Sequence, residues 1–356
     1  MQKIIILGST GSVGRSSLKI INQNKELFDV LGLAAFSNEK LISEQSNKFK
    51  NAKTYLESPK NKNYSDKQIS KEALYELISS PEVDTVIAAI SGSDGLELTH
   101  HSIISGKKVL VANKEPLVMA GEFLIDLAKK SNSRIIPIDS EHCSIHQSIN
   151  NRDIQSVSKI TLTCSGGPFY SLPKSKFKNI SLRDALKHPI WKMGKKISID
   201  SSTLMNKALE IIEAKYLFEI DQKKIDAIIH PEGIIHSLVA LTDGTVLASM
   251  AKPDMKIPIL YGLGFPETMN NKTNRIDIQK LSKLTFEKIN KNKFPSIDYA
   301  YFAINHGQGM PIVLNAANEI AVQSFMDSKI LFEDIFKVIS KTINYAVKNN
   351  LNLKSV

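Results

Sequence analysis

The chain has 356 residues, 42% of them hydrophobic, more than one ordinary core can absorb and enough for roughly two or three domains. A formal net charge of +10 is spread over scattered lysines among many Asn and Ile, with no arginine-rich or aromatic-interleaved cluster; this argues against nucleic acid as a partner and reads first as lysine-rich solvated faces, with attraction of phosphorylated small molecules as the alternative. The two cysteines, Cys143 and Cys164, follow no metal or redox spacing, MQKIIILGSTGSVG lacks a signal-peptide core and no later run approaches a membrane span, so a cytoplasmic chain without a membrane partner is expected.

Over the first 140 residues the β-branched runs KIIIL, VLGLAA, TVIAAI, KVLVAN and RIIPI alternate with amphipathic stretches such as SSLKIINQN and GEFLIDLAKKSN. Strands alternating with helices predict an α/β domain built on a doubly wound parallel sheet, which binds ligands beyond the C-terminal ends of its strands. Gly8-Ser9-Thr10-Gly11-Ser12-Val13-Gly14 follows the first strand directly and opens the helix RSSLKII. Glycines there let the backbone turn tightly and approach a pyrophosphate, while the helix start supplies N–H donors, so the loop reads as dinucleotide-binding, with a plain turn as the alternative. The second strand runs into Ser37-Asn38-Glu39-Lys40 and not into an acid. Hydroxyl, amide and a nearby lysine suit a 2′-phosphate and favour NADP over NAD; otherwise Ser37 and Asn38 only make a turn.

The last strand of this series ends in IPIDSEH. Read as a continuing strand, it puts Asp139 and Glu141 at i and i+2 on one face, where each opposes the other's ionisation and a positive charge belongs between them. A solvated strand end is the alternative. From about 155 to 265 the pattern becomes α+β: KITLTCSGG, a Pro/Lys-rich stretch, a strong helix, then DAIIH, HSLVALT and TVLASM, read as antiparallel strands with Asp243-Gly244 as a tight turn. Within it, ISIDSSTLMNKALEIIE reads as a strand, a capping cluster Asp200-Ser201-Ser202-Thr203, and a helix on which Asn206 and Glu210 share a face beside Lys207. That grouping fits a phosphate and cation site, or an ordinary polar helix face. Ser165-Gly166-Gly167-Pro168-Phe169 reads as an anion-binding loop, and KHPIWKMGKK, with the only tryptophan, as either a lid or a packed loop. Beyond a polar connection near 267–290, ALNAANEIAVQSFM and FEDIFKVISKTINYAVKNN predict a terminal helical module.

GSTGSVG, ANKE at 112–115, IDSEH, SGGPF, HPIWKMGKKISIDSSTLMNKALEIIEA, HPEGIIHS, KPDM and LNAANE follow one another over nearly the whole chain. In that order they resemble the 1-deoxy-D-xylulose 5-phosphate reductoisomerase family of the methylerythritol phosphate route to isoprenoids. The resemblance implies a homodimer with a Rossmann-like NADPH domain over residues 1–139, a catalytic domain over 140–266 carrying a flap at 186–196, a linker at 267–290 and a C-terminal helical domain over 291–356. It implies isomerisation and reduction of a ketose phosphate with NADPH and Mg²⁺ or Mn²⁺. Carried over position by position, Asp139, Glu141 and Glu210 bind the cation, an all-oxygen set of the kind those ions prefer. Ser165, Ser201, Asn206 and Lys207 then hold the substrate phosphate, and Ser140 contacts a substrate hydroxyl. His188, Trp191 and Met193 meet the substrate from the flap, His188 also standing among the catalytic residues, and His236 lies near the substrate. Lys114 falls at a catalytic position by the nicotinamide and sugar; Asn113, Lys114, Glu115 and Gly194 join Gly8 to Gly14, Ser37 and Asn38 around the cofactor. The sequence departs from the family at Phe36, where many relatives have glycine, at Pro116, usually Ser or Thr, and at Cys164, usually a small residue, and it closes on LNLKSV, short of the usual final segment. Two rival readings are a relative acting on another phosphosugar or as a simple reductase, and an NADP-sensing regulator, which would not need three carboxylates.

Overall fold

The computed structural model describes residues 1–61, 63–150, 152–191, 193–270, 275–307 and 309–351. Lys192 of the expected flap, residues 271–274 of the expected linker and the closing 352–356 lie outside the described residues. The chain forms two compact units, one of Met1–Pro116, Glu122–Cys143 and Asp254–Lys272, the other of Leu117–Gly121, Ser144–Pro253 and Thr273–Val356.

The first unit runs β1 (Gln2–Leu7), α1 (Ser12–Gln23), β2 (Phe28–Ala35), α2 (Glu39–Lys48), β3 (Lys53–Leu56), α3 (Lys71–Ser79), β4 (Thr85–Ala88), α4 (Leu96–Ile104), β5 (Lys108–Val111), α5 (Glu115–Ser131) and β6 (Arg134–Pro137). Its six strands are all parallel, in the order β3-β2-β1-β4-β5-β6, the expected doubly wound sheet. The order reverses between β1 and β4, so the turn after β1 opens onto the crevice where such sheets bind ligands. β1 is apolar on both faces because both are covered: Ile4 and Ile6 face a layer with Leu18, Ile21, Ile259 and Leu263, while Ile5 and Leu7 face Leu74, Ile78 and Leu98. The sequence reading had missed β3, whose KTYL is short and flanked by lysine- and asparagine-rich chain with no apolar alternation to betray it.

α6 (Ser140–Ile149) follows β6, and residues from Ser144 onward belong to the second unit. That unit continues with β7 (Val157–Cys164), α7 (Leu182–Ala185), α8 (Lys195–Ser202), α9 (Met205–Leu217), β8 (Ile225–Ile229), β9 (Ile235–Leu241) and β10 (Val246–Met250). After α10 (Lys256–Gly264), which packs in the first unit, come α11 (Ser296–His306), α12 (Met310–Met326) and α13 (Asp334–Lys348). The expected 140–266 domain therefore differs from the second unit at α10, because Ile259, Leu260 and Leu263 are buried with the first unit's strands. The second sheet has the order β10-β9-β7-β8. β9 and β10 form the expected antiparallel hairpin around Gly244, but β8 runs parallel to β7, not antiparallel, because three helices intervene and allow a crossover. On α13, Ile335, Ile339, Ile343 and Ala346 recur at helical spacing and are buried. A cluster of rings ties these helices to the chain after β7: Phe332 meets Phe169 edge-on at 5.2 Å and Phe177 at 5.5 Å.

Among the described residues no helix is long and apolar enough to cross a membrane.

Candidate active site

In the first unit the turn after β1 is made by backbone. Gly8 sits at φ +87°, a Cβ there would overlap the Ala89 carbonyl, and a Cβ on Gly14 would overlap Gly8 O and Ser9 Cα. The loop is folded over by amides of Gly8 and Ser9 donating to Ala34 O at 2.8 and 2.9 Å, which buries Ser9 and leaves Thr10 half-buried and Ser12 exposed. α1 begins at Gly11 with no side-chain cap and no acid in its first turn. The N–H groups of Ser12, Val13 and Gly14, with the positive end of the helix dipole, suit a phosphate, so the loop fits the dinucleotide assigned to it. Beside it a cavity of about 260 Å³ is lined by Phe36, Tyr55, Ile90 and Leu98 and by the charged Glu57, Lys71, Asp94 and Glu97, a mixed lining of apolar walls and polar rim. Ser37 is exposed, whereas Asn38 caps α2 by accepting from Leu41 N at 3.2 Å. Burial and the neighbouring Glu57 carboxylate hold the Tyr55 hydroxyl protonated.

At the far strand ends, Asn113 donates to Gly92 O at 2.9 Å, fixing the loop after β4, and Glu115 begins α5. Lys114 Nζ lies 3.1 Å from Asp139 Oδ2. Asp139 and Glu141 do not share a strand face: β6 stops at Pro137, and Asp139 accepts from Glu141 N at 3.2 Å while its carbonyl accepts from Cys143 N, starting α6. The local rule that won is N-capping, since an Asp before a helix satisfies its orphan amides. Beside Asp139 stand Lys114 and His142, whose Nδ1 is 3.1 Å from Asp139 Oδ1; His142 was missed because its position three residues on matters only in a helix. Ser140 Oγ donates to Glu141.

In the second unit the stretch read as a strand, ISID, is helical within α8. Alternating isoleucines suggested a strand, but Gly194 starts a helix, Ser198 Oγ returns to Gly194 O at 3.0 Å, and Asp200 is drawn inward to Lys196 at 2.9 Å, a pair only an i, i+4 helix allows. Gly194 itself has no atom within 4 Å of where a Cβ would stand. α8 ends at Thr203, and Leu204 turns the chain in the left-handed region (φ 58°), at a cost of about 1 kcal/mol, into α9. Thr203, expected to cap, accepts from Met205 N at 3.3 Å. On α9, Asn206 and Lys207 both donate to Glu210; Lys207 is 2% and Glu210 0% exposed. Such a pair is tightly coupled, and removing one partner of a buried pair costs roughly 3–5 kcal/mol.

The SGGPF loop closes on the same elbow. Gly167 (φ +66°) lies so near α8 that a Cβ would come within 2.6 Å of Ser201 O. Ser165 Oγ receives the Gly167 amide at 3.2 Å and stands 3.1 Å from His188 Nε2. His188 Nδ1 accepts from the amides of Ile190 and Trp191 at 3.2 and 2.8 Å, which places the ring proton on Nε2, donated to Ser165. Burial pushes this imidazole down to about 4, so it is neutral at physiological pH. Trp191 and Met193 are half-buried; the Trp191 ring lies 6.4 Å from that of His236, and Ile190 packs where a Cβ on Gly233 would be. The second unit thus brings together Ser165, His188, Trp191, Ser201 and His236, and separately Asn206, Lys207 and Glu210. Asp139, Glu141 and Glu210 offer only carboxylate oxygens, the donors a hard divalent cation takes, and Glu210 lies where a charge needs compensation by cations; the donor set fits Mg²⁺ or Mn²⁺.

Comparison with known proteins agrees with this chemistry. Residues 4–121 match the family described as 1-deoxy-D-xylulose 5-phosphate reductoisomerase, residues 135–218 its C-terminal domain, and residues 250–356 the DXP reductoisomerase C-terminal domain. Enzymes of that name from Endomicrobium trichonymphae and Pelodictyon phaeoclathratiforme are 41% and 42% identical, each match covering 96% of this chain and 92% of the relative. A crystal structure of DOX-P reductoisomerase in complex with NADPH, fosmidomycin and magnesium superposes with a TM-score of 0.92 at 39% identity, covering 96% of this chain and 89% of that one. With identity of this order along nearly its whole length, the chain belongs to the 1-deoxy-D-xylulose 5-phosphate reductoisomerase family.

Proposed function

We infer that the chain converts 1-deoxy-D-xylulose 5-phosphate to 2-C-methyl-D-erythritol 4-phosphate, isomerising the carbon skeleton and reducing the resulting aldehyde, in the methylerythritol phosphate pathway. The observation that carries this is the match to the family over residues 4–121, 135–218 and 250–356. When bound, NADPH supplies the hydride and Mg²⁺ or Mn²⁺ the Lewis acidity that polarises the carbonyl.

The residues then divide the work. The glycine turn and the start of α1 bind the pyrophosphate, while Ser37 and Asn38 border the 2′-phosphate end. Asp139, Glu141 and Glu210 would hold the cation, with Lys114 and His142 orienting Asp139. Ser165, Ser201, Asn206 and Lys207 hold the substrate phosphate, whose remote binding energy closes the flap. Trp191 and Met193 cover the substrate and exclude water, His236 supports Trp191, and neutral His188 presents an N–H to Ser165. Ser140 meets a substrate hydroxyl. A homodimer in the cytoplasm is part of the same reading.

The test is NADPH oxidation by the purified protein. Turnover should require both 1-deoxy-D-xylulose 5-phosphate and Mg²⁺ or Mn²⁺, and NADH should serve poorly. Equal turnover of another ketose phosphate, or none with this one, would overturn the assignment.

A further inference from the structure

The elbow between α8 and α9 is held from outside by residues to which the site gives no role. Asp200, immediately before Ser201, is 1% exposed; one of its oxygens pairs with Lys196 and the other accepts from Asn318 Nδ2 at 2.8 Å. Asn318 is on α12, in the stretch LNAANE, and is 0% exposed. Its own carbonyl oxygen has no partner among the described residues, so the amide is kept in the core at the cost of an unsatisfied acceptor. Three residues along the elbow, Thr203 O accepts from Ser296 Oγ, the first residue of α11, at 2.8 Å, and both groups are buried. Immediately after the second anchor comes Leu204 in its left-handed conformation, which a non-glycine residue holds only where its surroundings over-determine it. The third tether is apolar: Phe169, two residues past Gly167, packs edge-on against Phe332.

We propose that Asn318 and Ser296, acting through Asp200 and Thr203, are positioning residues that hold the α8–α9 elbow in its strained form, so that Ser201 on one side and Asn206 and Lys207 on the other converge on one anion. This rests on the reading that those three residues bind the substrate phosphate. Neither Asn318 nor Ser296 touches the phosphate. Asn318 takes the oxygen of Asp200 that Lys196 leaves and thereby sets the rotation of α8, on which Ser201 is the next residue; Ser296 fixes the carbonyl at which the chain must turn left-handed. The helical C-terminal region thereby sets how tightly the protein grips the phosphate end of its substrate.

The experiment uses the full chain with NADPH and Mn²⁺, and inorganic phosphate as a competitive probe. Asn318→Ala should raise KM for the substrate and the inhibition constant of phosphate together, about tenfold each, with kcat lowered less than about threefold and NADPH affinity unchanged. Ser296→Ala, which removes one hydroxyl, should move the same two constants in the same direction by about threefold, and decides the matter if Asn318→Ala does not fold. Were the contacts merely structural, both variants would lower the melting temperature and leave KM and the phosphate constant where they were; that result overturns the proposal. Lys207→Met separates it from the reading beneath it. If phosphate inhibition survives Lys207→Met, the phosphate site itself is misassigned; if Lys207→Met abolishes it while the two alanine variants do not move it, only the positioning role falls.

Discussion

In the proposed function the turn after β1 and the elbow after α8 each present the start of a helix to an anion, and they are built by opposite means. At the turn the backbone does the work: glycines at positions where a Cβ would collide, an uncapped helix start, no titratable side chain from Gly8 to Gly14. At the elbow a left-handed leucine is held by side chains, and the groups offered are a lysine and an asparagine already committed to a buried glutamate. A site of backbone is specified by a few adjacent residues. A site of side chains borrows its geometry from far along the sequence: Asn318 reaches Asp200 across 118 positions and Ser296 reaches Thr203 across 93.

Three perturbations test that contrast, the strongest first. Glu210→Gln should lower kcat at least about a thousandfold, ~4 kcal/mol of barrier, because an amide is a poor ligand for a hard cation. It should also lower the unfolding free energy in urea by roughly 3 kcal/mol, since Lys207 is left buried without its anion, yet leave NADPH affinity at the glycine turn intact. Near-normal turnover at limiting Mg²⁺ would sink the metal assignment. Gly14→Ala is the reciprocal change. Its methyl group would meet only backbone, which cannot yield, so NADPH affinity in a fluorescence titration should fall about a hundredfold while the phosphate inhibition constant stays put. Unaltered NADPH binding would show that the turn is not held as tightly as its geometry demands.

The smallest effect is on pH. Burial pushes both His188 and His146, in the second unit, down to about 4. The unfolded chain, with imidazoles near 6.5, therefore takes up protons first as pH falls; stability is complete above about 6.5 and is lost progressively toward pH 4. Urea titrations should show a loss of up to ~2 kcal/mol per histidine by pH 5, less where the ring is partly exposed to solvent, and His188→Gln should flatten its share. A profile that His188→Gln does not change would mean the ring titrates alike in the folded and unfolded chain.

The same contrast explains what could be read from the chain beforehand. The sheet and the glycine turn were legible because strand, glycines and helix are neighbours in sequence, and β1 declares its burial on both faces by being apolar at every position. The misreadings cluster where distant residues decide. ISID has the alternation of a strand and becomes a helix once Lys196 and Asn318 claim Asp200. IPIDSEH looked like a strand with two acids on one face until Asp139 capped α6, and only then does His142 come beside it. The direction of β8 could not be read at all, since it depends on a three-helix crossover and not on its own residues. For the carboxylates and the phosphate residues, spacing alone suggested polar clusters; their roles came from the resemblance.

The return of α10 to the first unit has a consequence for how the protein is made. The ribosome releases β1 to β6 first, but the apolar faces that receive Ile259 and Leu263 stay uncovered until the whole of the second sheet has emerged. The nucleotide-binding half is thus started first and finished late, and for that interval its partly covered core is what a chaperone or a protease meets. A fragment cut at the end of β6 would preserve that interval indefinitely, a folded sheet with an apolar gap where α10 belongs.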